Sequence, residues 1–276
     1  MPLDLLYELS SMTSGTPFRL MEKTSLLLIA GILWAGAGQG AVFLDENFDS
    51  YADQTAFQAA WPINGTASTV LNNEQFVSLS QSTKGLTTAT RNARSVGEVG
   101  FLNASTDIVI FRLNFYDSAG SASAYRQYAE LDDTAAPSGG GQLYALGLNN
   151  NIVSTKYMAR ILGADGGAGA GAFFKLDDVG SPDRSTGWHS LEADISDNDV
   201  KYFVDGILSK TVNISALTDR SLDTVKIGSN LSATQVAYFD DVHVERITVP
   251  EPSALALSLL GGFGLAAGVI SRRRKS

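Results

Sequence analysis

Two clusters of carboxylates in this chain have the residue types and the spacing for acid–base chemistry. Their members are, in chain order, Glu130, Asp132, Asp133, Glu192, Asp194 and Asp197. Side chains two positions apart on a strand share a face, so each Glu–Asp pair would present two carboxylates together. Two carboxylates flanking a glycosidic bond are the minimum for hydrolysis with retention. In an acidic chain the same clusters are also typical of a solvated strand face.

Other catalytic groups receive little support from the sequence. There are no cysteines, which excludes disulfides, thiolate metal sites and Cys nucleophiles. His189 and His243 are the two histidines, and no serine sits in a Gly-x-Ser-x-Gly turn. An isolated histidine on a strand is more often structural, so we assign neither histidine a catalytic role.

Carboxylates also lie near both ends of the central part of the chain, where they suggest calcium. The residues are Asp45, Glu46, Asp49, Asp240 and Asp241. If the first and last strands pair, these oxygens converge, and calcium takes six to eight oxygen ligands. The alternative interpretation is ordinary surface acidity.

The net charge of the chain is −9. Binding of nucleic acid needs clustered Lys and Arg to neutralise phosphates, so this charge argues against a nucleic-acid partner.

The elements that would position these residues are strands. Residues 107–116, 200–204 and 236–247 are rich in β-branched and aromatic side chains, and Gly- and Asn-rich turns separate such runs. Residues 52–61 are the best candidate for one short helix. The pattern predicts an all-β fold, a β-sandwich formed by residues 41–248.

The Trp188-His189 strand, followed by Tyr202-Phe203-Val204-Asp205-Gly206, resembles the hairpin of laminin-G-like and concanavalin A-like jelly rolls. Residues 46–51 and 239–242 are similar to the paired terminal strands of those domains. The resemblance implies a jelly-roll β-sandwich in which the Trp-His strand pairs with the next strand and Asp205-Gly206 makes a hairpin turn.

The same fold hosts laminarinase-type glucanases, which carry the strand motif Glu-x-Asp-x-x-Glu. Glu130 and Asp132 match its first two carboxylates, but Ala135 occupies the position of the acid/base. The cluster that begins at Glu192 lies on the Trp-His strand, which is not the strand of the motif. We therefore expect no catalysis, with a divergent glycoside hydrolase as the alternative.

The N-terminal region has the pattern of an export signal. A charged start at Met21 precedes the apolar residues 25–34 and a series of small residues, so residues 21–40 are a predicted signal peptide cleaved before Ala41. Residues 1–20 are predicted to be a mis-started or non-native extension, with an unusually long charged region as the alternative.

The C-terminal residues 249–276 have three parts. Pro250-Glu251-Pro252 precedes the apolar residues 253–270, which would span about 27 Å as a transmembrane helix. A basic cluster then follows, formed by Arg272, Arg273, Arg274 and Lys275. This tail resembles the PEP-CTERM sorting signal and implies processing by an exosortase-type enzyme at a bacterial inner membrane. An ordinary tail anchor is the alternative.

Together these patterns predict a protein that signal peptidase and an exosortase process and that is retained at the cell surface or in the extracellular matrix. Non-catalytic binding of exopolysaccharide is the leading activity, and a purely structural matrix protein is a second alternative to it. Aromatic side chains that could stack on sugars are Trp61, Trp188, Tyr125, Tyr128, Tyr144 and Tyr157. Of these we expect Trp188 to be buried.

Overall fold

The computed structural model of the chain describes residues 40–100, 106–120, 125–134, 142–152, 155–162, 171–217, 221–233 and 235–249. The predicted extension, the signal peptide before Gly40 and the sorting tail after Val249 lie outside the described residues. So does Ala135. Within the described ranges, no helix is both long and apolar enough to cross a membrane.

The described residues form fourteen strands and one short helix. In chain order the elements are β1 (Gly40–Glu46), α1 (Gln54–Ala60), β2 (Val70–Asn72), β3 (Ser82–Gly85), β4 (Asn92–Ser95), β5 (Asp107–Asp117), β6 (Gln127–Asp132), β7 (Leu143–Leu148), β8 (Met158–Ile161), β9 (Phe173–Lys175), β10 (Gly187–Ile195), β11 (Asp199–Val204), β12 (Ile207–Asn213), β13 (Thr224–Ile227) and β14 (Ala237–Thr248).

The strands form two antiparallel sheets. The eight-stranded sheet has the order β12-β11-β10-β5-β14-β3-β2, and β1 also pairs with β14. The six-stranded sheet has the order β4-β13-β6-β7-β8-β9. The prediction of an all-β sandwich with one short helix near residues 52–61 is therefore confirmed.

A continuous apolar core lies between the two sheets. In the eight-stranded sheet, alternate residues of β5 and β10 point inward, among them Phe111, Phe115 and Leu191. The six-stranded sheet contributes Leu131 and Leu146 to the same cluster. Full burial of each such side chain stabilises the fold by about 1.5–3 kcal/mol.

The predicted pairing of the terminal strands is present. β1 and β14 are antiparallel, with Asp45 opposite His243. β10 pairs with β11 as expected, and Asp205-Gly206 forms the turn between β11 and β12. A bulge between Asp240 and His243 interrupts the pairing of β14 with β5, and Asp241 there has φ of 45°. The bulge changes the direction of the carboxylates on this strand.

The helix α1 closes one end of the core. The side chain of Asp53 accepts a hydrogen bond from the backbone N–H of Ala56, which caps the first turn. Phe57 is the buried residue of the helix, and its ring packs at edge-to-face angles on Phe48 and Tyr51.

Candidate functional site

The six-stranded sheet turns charged and aromatic side chains away from the core. Along β6, Ala129 and Leu131 belong to the core between the sheets. Because side chains alternate along a strand, Tyr128, Glu130 and Asp132 lie on the outer face. All three are nevertheless buried, so this outer face is covered by its surroundings.

A second, smaller apolar cluster lies on that outer face. It consists of Tyr128 with Leu143 and Ala145 of β7, and the partly buried Leu162 and Phe173 pack against it. An apolar cluster on the outer side of a sandwich is not needed to hold the two sheets together. The cluster itself is buried, so it supports the partly buried Leu162 and Phe173 at its edge.

A pocket of about 380 Å³ opens beside this cluster. We call it the aromatic–arginine pocket, defined by Arg126, Tyr128, Asn149, Asn151, Arg160 and Phe173. It combines apolar rings with a few polar side chains, which is the usual composition of a small-molecule site. No Asp or Glu lies in its described lining, so the described wall offers no carboxylate for acid–base chemistry.

The two rings of the pocket meet at an angle. The centroids of Tyr128 and Phe173 are 5.2 Å apart and their planes are inclined by 53°. The guanidinium of Arg160 lies 5.8 Å from the centroid of the Phe173 ring, within the range of a cation–π contact. Arg160 Nε donates to the carbonyl of Gly171 at 2.5 Å, which fixes the side chain against β9.

Gly147 makes room for Tyr128. The two residues are paired across β6 and β7, and Gly147 has φ of 142°. A Cβ on Gly147 would lie 2.5 Å from the carbonyl oxygen of Gln127 and 2.9 Å from the Cβ of Tyr128. The position of Tyr128 therefore requires glycine at its partner.

Arg126 stands just before β6 with few partners. Its Nη2 donates a long hydrogen bond of 3.4 Å to Asn151 Oδ1. Its Nε atom is buried and has no hydrogen-bond partner among the described residues. A buried donor without a partner is unfavourable, so this side chain is suited to an acceptor brought in by a ligand.

Glu130 lies deeper on the same face and is held by basic side chains. It is 3% exposed, and Arg91 Nη1 lies 3.3 Å from its Oε2. Lys226 is its partner across β13 and bonds to Asp132. Burial raises the pKa of Glu130, and the charge of Arg91 acts in the opposite direction. Glu130 and Asp132 thus share a face as predicted, but both are engaged in ion pairs.

The second carboxylate cluster lies on the outer face of the eight-stranded sheet. Glu192 stands opposite Arg112 of β5, and Asp194 stands opposite Lys201 of β11. Burial raises the pKa of Asp194 to about 6, and the charge of Glu192 adds to this. Each carboxylate has a basic neighbour across the sheet, but Asp194 is partly buried and its Oδ1 has no hydrogen-bond partner among the described residues.

Glu46, one of the predicted calcium ligands, is the centre of a hydrogen-bond network. Its Oε2 accepts from Arg94 Nη1 at 2.5 Å, from the Tyr51 hydroxyl at 2.5 Å and from Trp61 Nε1 at 3.1 Å. Its Oε1 accepts from the backbone N–H of Phe48 at 2.8 Å. Both oxygens are therefore occupied by protein donors.

Asp49 and Asp240 bind a different part of the chain. Asp49 Oδ1 accepts from the backbone N–H of Ser80 at 2.8 Å. Asp240 Oδ2 accepts from the backbone N–H groups of Val77 and Ser78 at 2.7 and 3.1 Å. These two carboxylates hold the segment between β2 and β3 against the end of the sheet.

Asp45 and Asp241 lie together in a groove on the outer face of the eight-stranded sheet. The polar groove, about 380 Å³, contains Asp45, Arg112, Asn114, Glu192, Asp241 and His243. His243 Nδ1 is 3.1 Å from Asp45 Oδ1, and Asn114 Nδ2 donates to Asp241 Oδ2 at 2.8 Å.

The structure thus distributes the five predicted calcium ligands over three environments. Among the described residues, no group of three His, Cys, Asp or Glu side chains is arranged to hold a metal ion. A calcium ion shared by all five would need these environments to converge, and Glu46 would have to release its protein donors. The calcium site stays a prediction.

Most of the aromatic side chains predicted as sugar platforms are inaccessible. Trp61, Tyr125, Tyr144 and Tyr157 are at most 1% exposed. Tyr128, at 6% exposure, is also buried, although it lines the aromatic–arginine pocket. Of the predicted set, Trp188 is a half-buried ring on an outer face. The expectation that Trp188 is buried in the core is wrong, because its strand turns it outward, where its half-buried ring packs edge-to-face on Tyr116.

His189 connects a loop to a hairpin turn. Its Nδ1 is 2.8 Å from Asp205 Oδ2, and its Nε2 is 3.0 Å from both the hydroxyl and the carbonyl oxygen of Ser185. These contacts hold the loop that contains Ser185 against the turn that contains Asp205.

The sequence alone did not identify most of the pocket. Tyr128 was among the aromatic candidates, but Arg126, Asn149, Asn151, Arg160 and Phe173 were not. Gly147, inside an otherwise apolar strand, is a signal that another group approaches closely. The remaining residues come together only through the order of strands β6 to β9.

Comparison with known proteins gives no family. No protein-family model matches the chain, and no curated protein matches it significantly.

Solved structures with a similar fold do exist. The conserved carbohydrate esterase of the Shiga toxin-encoding bacteriophage phi24B aligns with a TM-score of 0.50 and 15% identity, covering 75% of this chain and 99% of that one. A cellulose-induced protein aligns with a TM-score of 0.45 and 16% identity over 73% of this chain and 96% of that one. The receptor-binding domain of botulinum neurotoxin D aligns with a TM-score of 0.46 and 11% identity, covering 80% of this chain and 52% of that one. At 15% identity, the similarity to the carbohydrate esterase shows the fold alone.

Proposed function

We propose that residues 41–248 form a laminin-G-like jelly-roll domain that binds glycan without catalysis. The domain belongs to a protein that is exported and retained at the bacterial surface or in its exopolysaccharide matrix. The likeness to a carbohydrate esterase concerns the fold, so the proposal rests on the chemistry of this chain's own pocket.

The observation that carries the proposal is the aromatic–arginine pocket. The partly exposed Phe173 offers ring surface for the apolar face of a sugar, and the buried Tyr128 packs against it at an angle of 53°. Asn149, Asn151 and the arginines at the rim provide amide and guanidinium groups for hydroxyls. An apolar platform with polar groups around it matches a sugar, which has apolar ring faces and polar edges.

A hydrolase is the weaker candidate. Retaining hydrolysis needs two free carboxylates about 5 Å apart at the bond to be cut. Glu130 and Asp132 are buried and paired with Arg91 and Lys226. Neither lines the described wall of the aromatic–arginine pocket. A purely structural matrix protein remains the outcome if no glycan binds.

Export and sorting are proposed from the sequence. Residues 21–40 direct the chain to signal peptidase, and Pro250-Glu251-Pro252 with the apolar and basic segments directs it to an exosortase-type enzyme at the inner membrane. Mass spectrometry of the surface-exposed protein tests this. We expect peptides before Ala41 and after Glu251 to be absent. Recovery of an intact tail, residues 253–276, would instead leave an ordinary anchor.

A weak calcium ion remains part of the proposal as a stabiliser of the terminal strands. Binding to the native state alone would raise the melting temperature in millimolar calcium, and Asp241→Asn should abolish the shift. Identical melting curves in calcium and in chelator would reject this ion.

A glycan array probed with the purified full-length chain tests the binding function. We expect binding by the wild-type chain and loss of binding with Phe173→Ala. Tyr116→Ala is a matched control, because Tyr116 is also a half-buried ring on an outer face but belongs to the other sheet. Loss of glycan binding in Tyr116→Ala but not in Phe173→Ala would place the site on the eight-stranded sheet. Absence of wild-type binding would favour the structural alternative.

A further inference from the structure

The charge of the aromatic–arginine pocket is opposite to that of the protein. The chain carries a net charge of −9, yet the charged side chains in the described lining are Arg126 and Arg160. The nearest outward-facing carboxylates of β6, Glu130 and Asp132, are already paired with Arg91 and Lys226. Neither pocket arginine forms an ion pair with a described carboxylate, although Arg160 is close enough to Glu130 for its charge to lower the pKa of that carboxyl.

Both arginines have donors left for a ligand. Arg126 Nε is buried without a partner, and Nη2 makes only the long bond to Asn151. Arg160 uses Nε for the Gly171 carbonyl, and its Nη groups make no hydrogen bond to other described residues. Leaving half-buried guanidinium groups without an anion is unfavourable, and a carboxylate matches their planar donor geometry.

We infer that the pocket selects a glycan with a carboxylate on the sugar ring, that is, a hexuronate unit of an acidic polysaccharide. This inference rests on the proposed function and names its ligand class. A uronate ring presents an apolar face for Phe173, which Tyr128 supports, and a carboxylate for Arg126 and Arg160. One sugar unit thus meets the two kinds of group that the pocket offers. A neutral sugar would bring no counter-charge to either guanidinium.

The attraction between the pocket arginines and an anionic sugar acts over a short range. At physiological ionic strength the Debye length is about 8 Å, so charges elsewhere on the acidic surface are largely screened from the pocket. An anionic polysaccharide can therefore bind despite the net negative charge. We expect the affinity to fall as salt is raised, because the contacts at the pocket rim are partly exposed.

The test compares two ligands with the same sugar backbone, one with free carboxylates and one with uncharged methyl esters. Binding of polygalacturonate and of its fully methyl-esterified form to the full-length chain is measured by calorimetry, with dextran sulfate as a second polyanion. We expect polygalacturonate to bind about tenfold or more tightly than the ester, as expected for one charge-assisted contact. We also expect it to bind more tightly than dextran sulfate, which lacks carboxylates.

Arginine variants test whether the preference for the acidic polymer arises in the pocket. Arg126→Gln and Arg160→Gln should each remove most of the preference for the acid, whereas Arg112→Gln, in the polar groove, changes the net charge equally and should leave it intact. The melting temperature of each variant is recorded, and if a variant does not fold, the comparison of ligands on the wild-type chain still decides.

The outcomes separate this inference from the proposed function. Equal or tighter binding of the methyl ester would overturn the uronate assignment and leave glycan binding in place. Equal binding of dextran sulfate would show attraction to any polyanion and would also overturn the assignment. Failure to bind these ligands or any member of the glycan array would overturn both proposals.

Discussion

Tyr128 and Gly147 lie opposite each other on β6 and β7, so close that a Cβ on Gly147 would be 2.7 Å from the Tyr128 Cα. Gly147→Ala should therefore push the two strands apart at the pocket. We expect the free energy of unfolding to fall by about 1–3 kcal/mol, the usual range for overpacking, with weaker glycan binding.

Gly180→Ala is the control for this substitution. Gly180 also has a positive φ, of 94°, but nothing lies within 4 Å of its Cβ position. Gly180→Ala therefore measures the cost of backbone strain without a steric clash. Equal loss of stability in both variants would show that Tyr128 is not held by the close approach of Gly147.

The buried ion pair between Asp117 and Arg184 fixes the end of β5 to the loop before β10. Arg184 Nε donates to Asp117 Oδ2 at 2.9 Å, and both side chains are at most 1% exposed. Tyr125 donates its hydroxyl proton to Asp117 Oδ1 at 2.7 Å. Asp117→Asn should lower the free energy of unfolding by about 3–5 kcal/mol, because it removes the charge that Asp117 places against a buried guanidinium.

Urea denaturation measures the loss of unfolding free energy in Asp117→Asn, and Asp177→Asn is the control. Asp177 pairs with Lys210 at 2.9 Å, but its side chain is 45% exposed, and exposed pairs contribute about 1 kcal/mol at most. Similar effects of the two substitutions would contradict a structural role for the buried pair.

Asp194 should make the fold less stable as the pH rises from about 4 to about 6. Burial, followed by the charge of Glu192, raises its pKa to about 6 in the folded state. In this window the folded chain binds a proton that the unfolded chain does not, so stability falls as pH increases.

Asp194→Asn removes this effect. We expect the variant to be more stable than the wild type at pH 7, by about 1 kcal/mol or less because the side chain is only half-buried. The gain should vanish below about pH 3, where the wild-type carboxyl is protonated in both states. A gain that persists unchanged at about pH 3 would point to a cause other than titration.

The chain should not hydrolyse β-glucans. Ala135 cannot act as acid or base, and loss of that help lowers rates by about 10²–10⁴. Glu130 and Asp132 are also engaged by Arg91 and Lys226. An assay on laminarin and mixed-linkage glucan should show no turnover, with Glu130→Gln as the control. Turnover abolished by that substitution would make the chain an enzyme with a relocated acid.

Local patterns in the sequence predicted the strands well because their signals are short-range. The pairing of β1 with β14 and the turn at Asp205-Gly206 followed from residue types that occur in similar domains. Glu130 and Asp132 share a face because strand periodicity is fixed by backbone geometry.

The pocket was not predictable in the same way. Tyr128 and Phe173 belong to β6 and β9, which two further strands separate, so their contact depends on sheet order. The outward turn of Trp188 likewise depends on the register of β10 against β5, since a shift of one residue exchanges the two faces.

The central claim, that glycan binds in the aromatic–arginine pocket, is tested most directly by hydrogen exchange of the full-length chain with and without saturating glycan. We predict slower exchange of backbone amides at Arg126–Tyr128, Asn149–Ile152 and Gly171–Lys175, with no change around Trp188 and Tyr116. Protection confined to the outer face of the eight-stranded sheet, or none at saturation, would contradict the account.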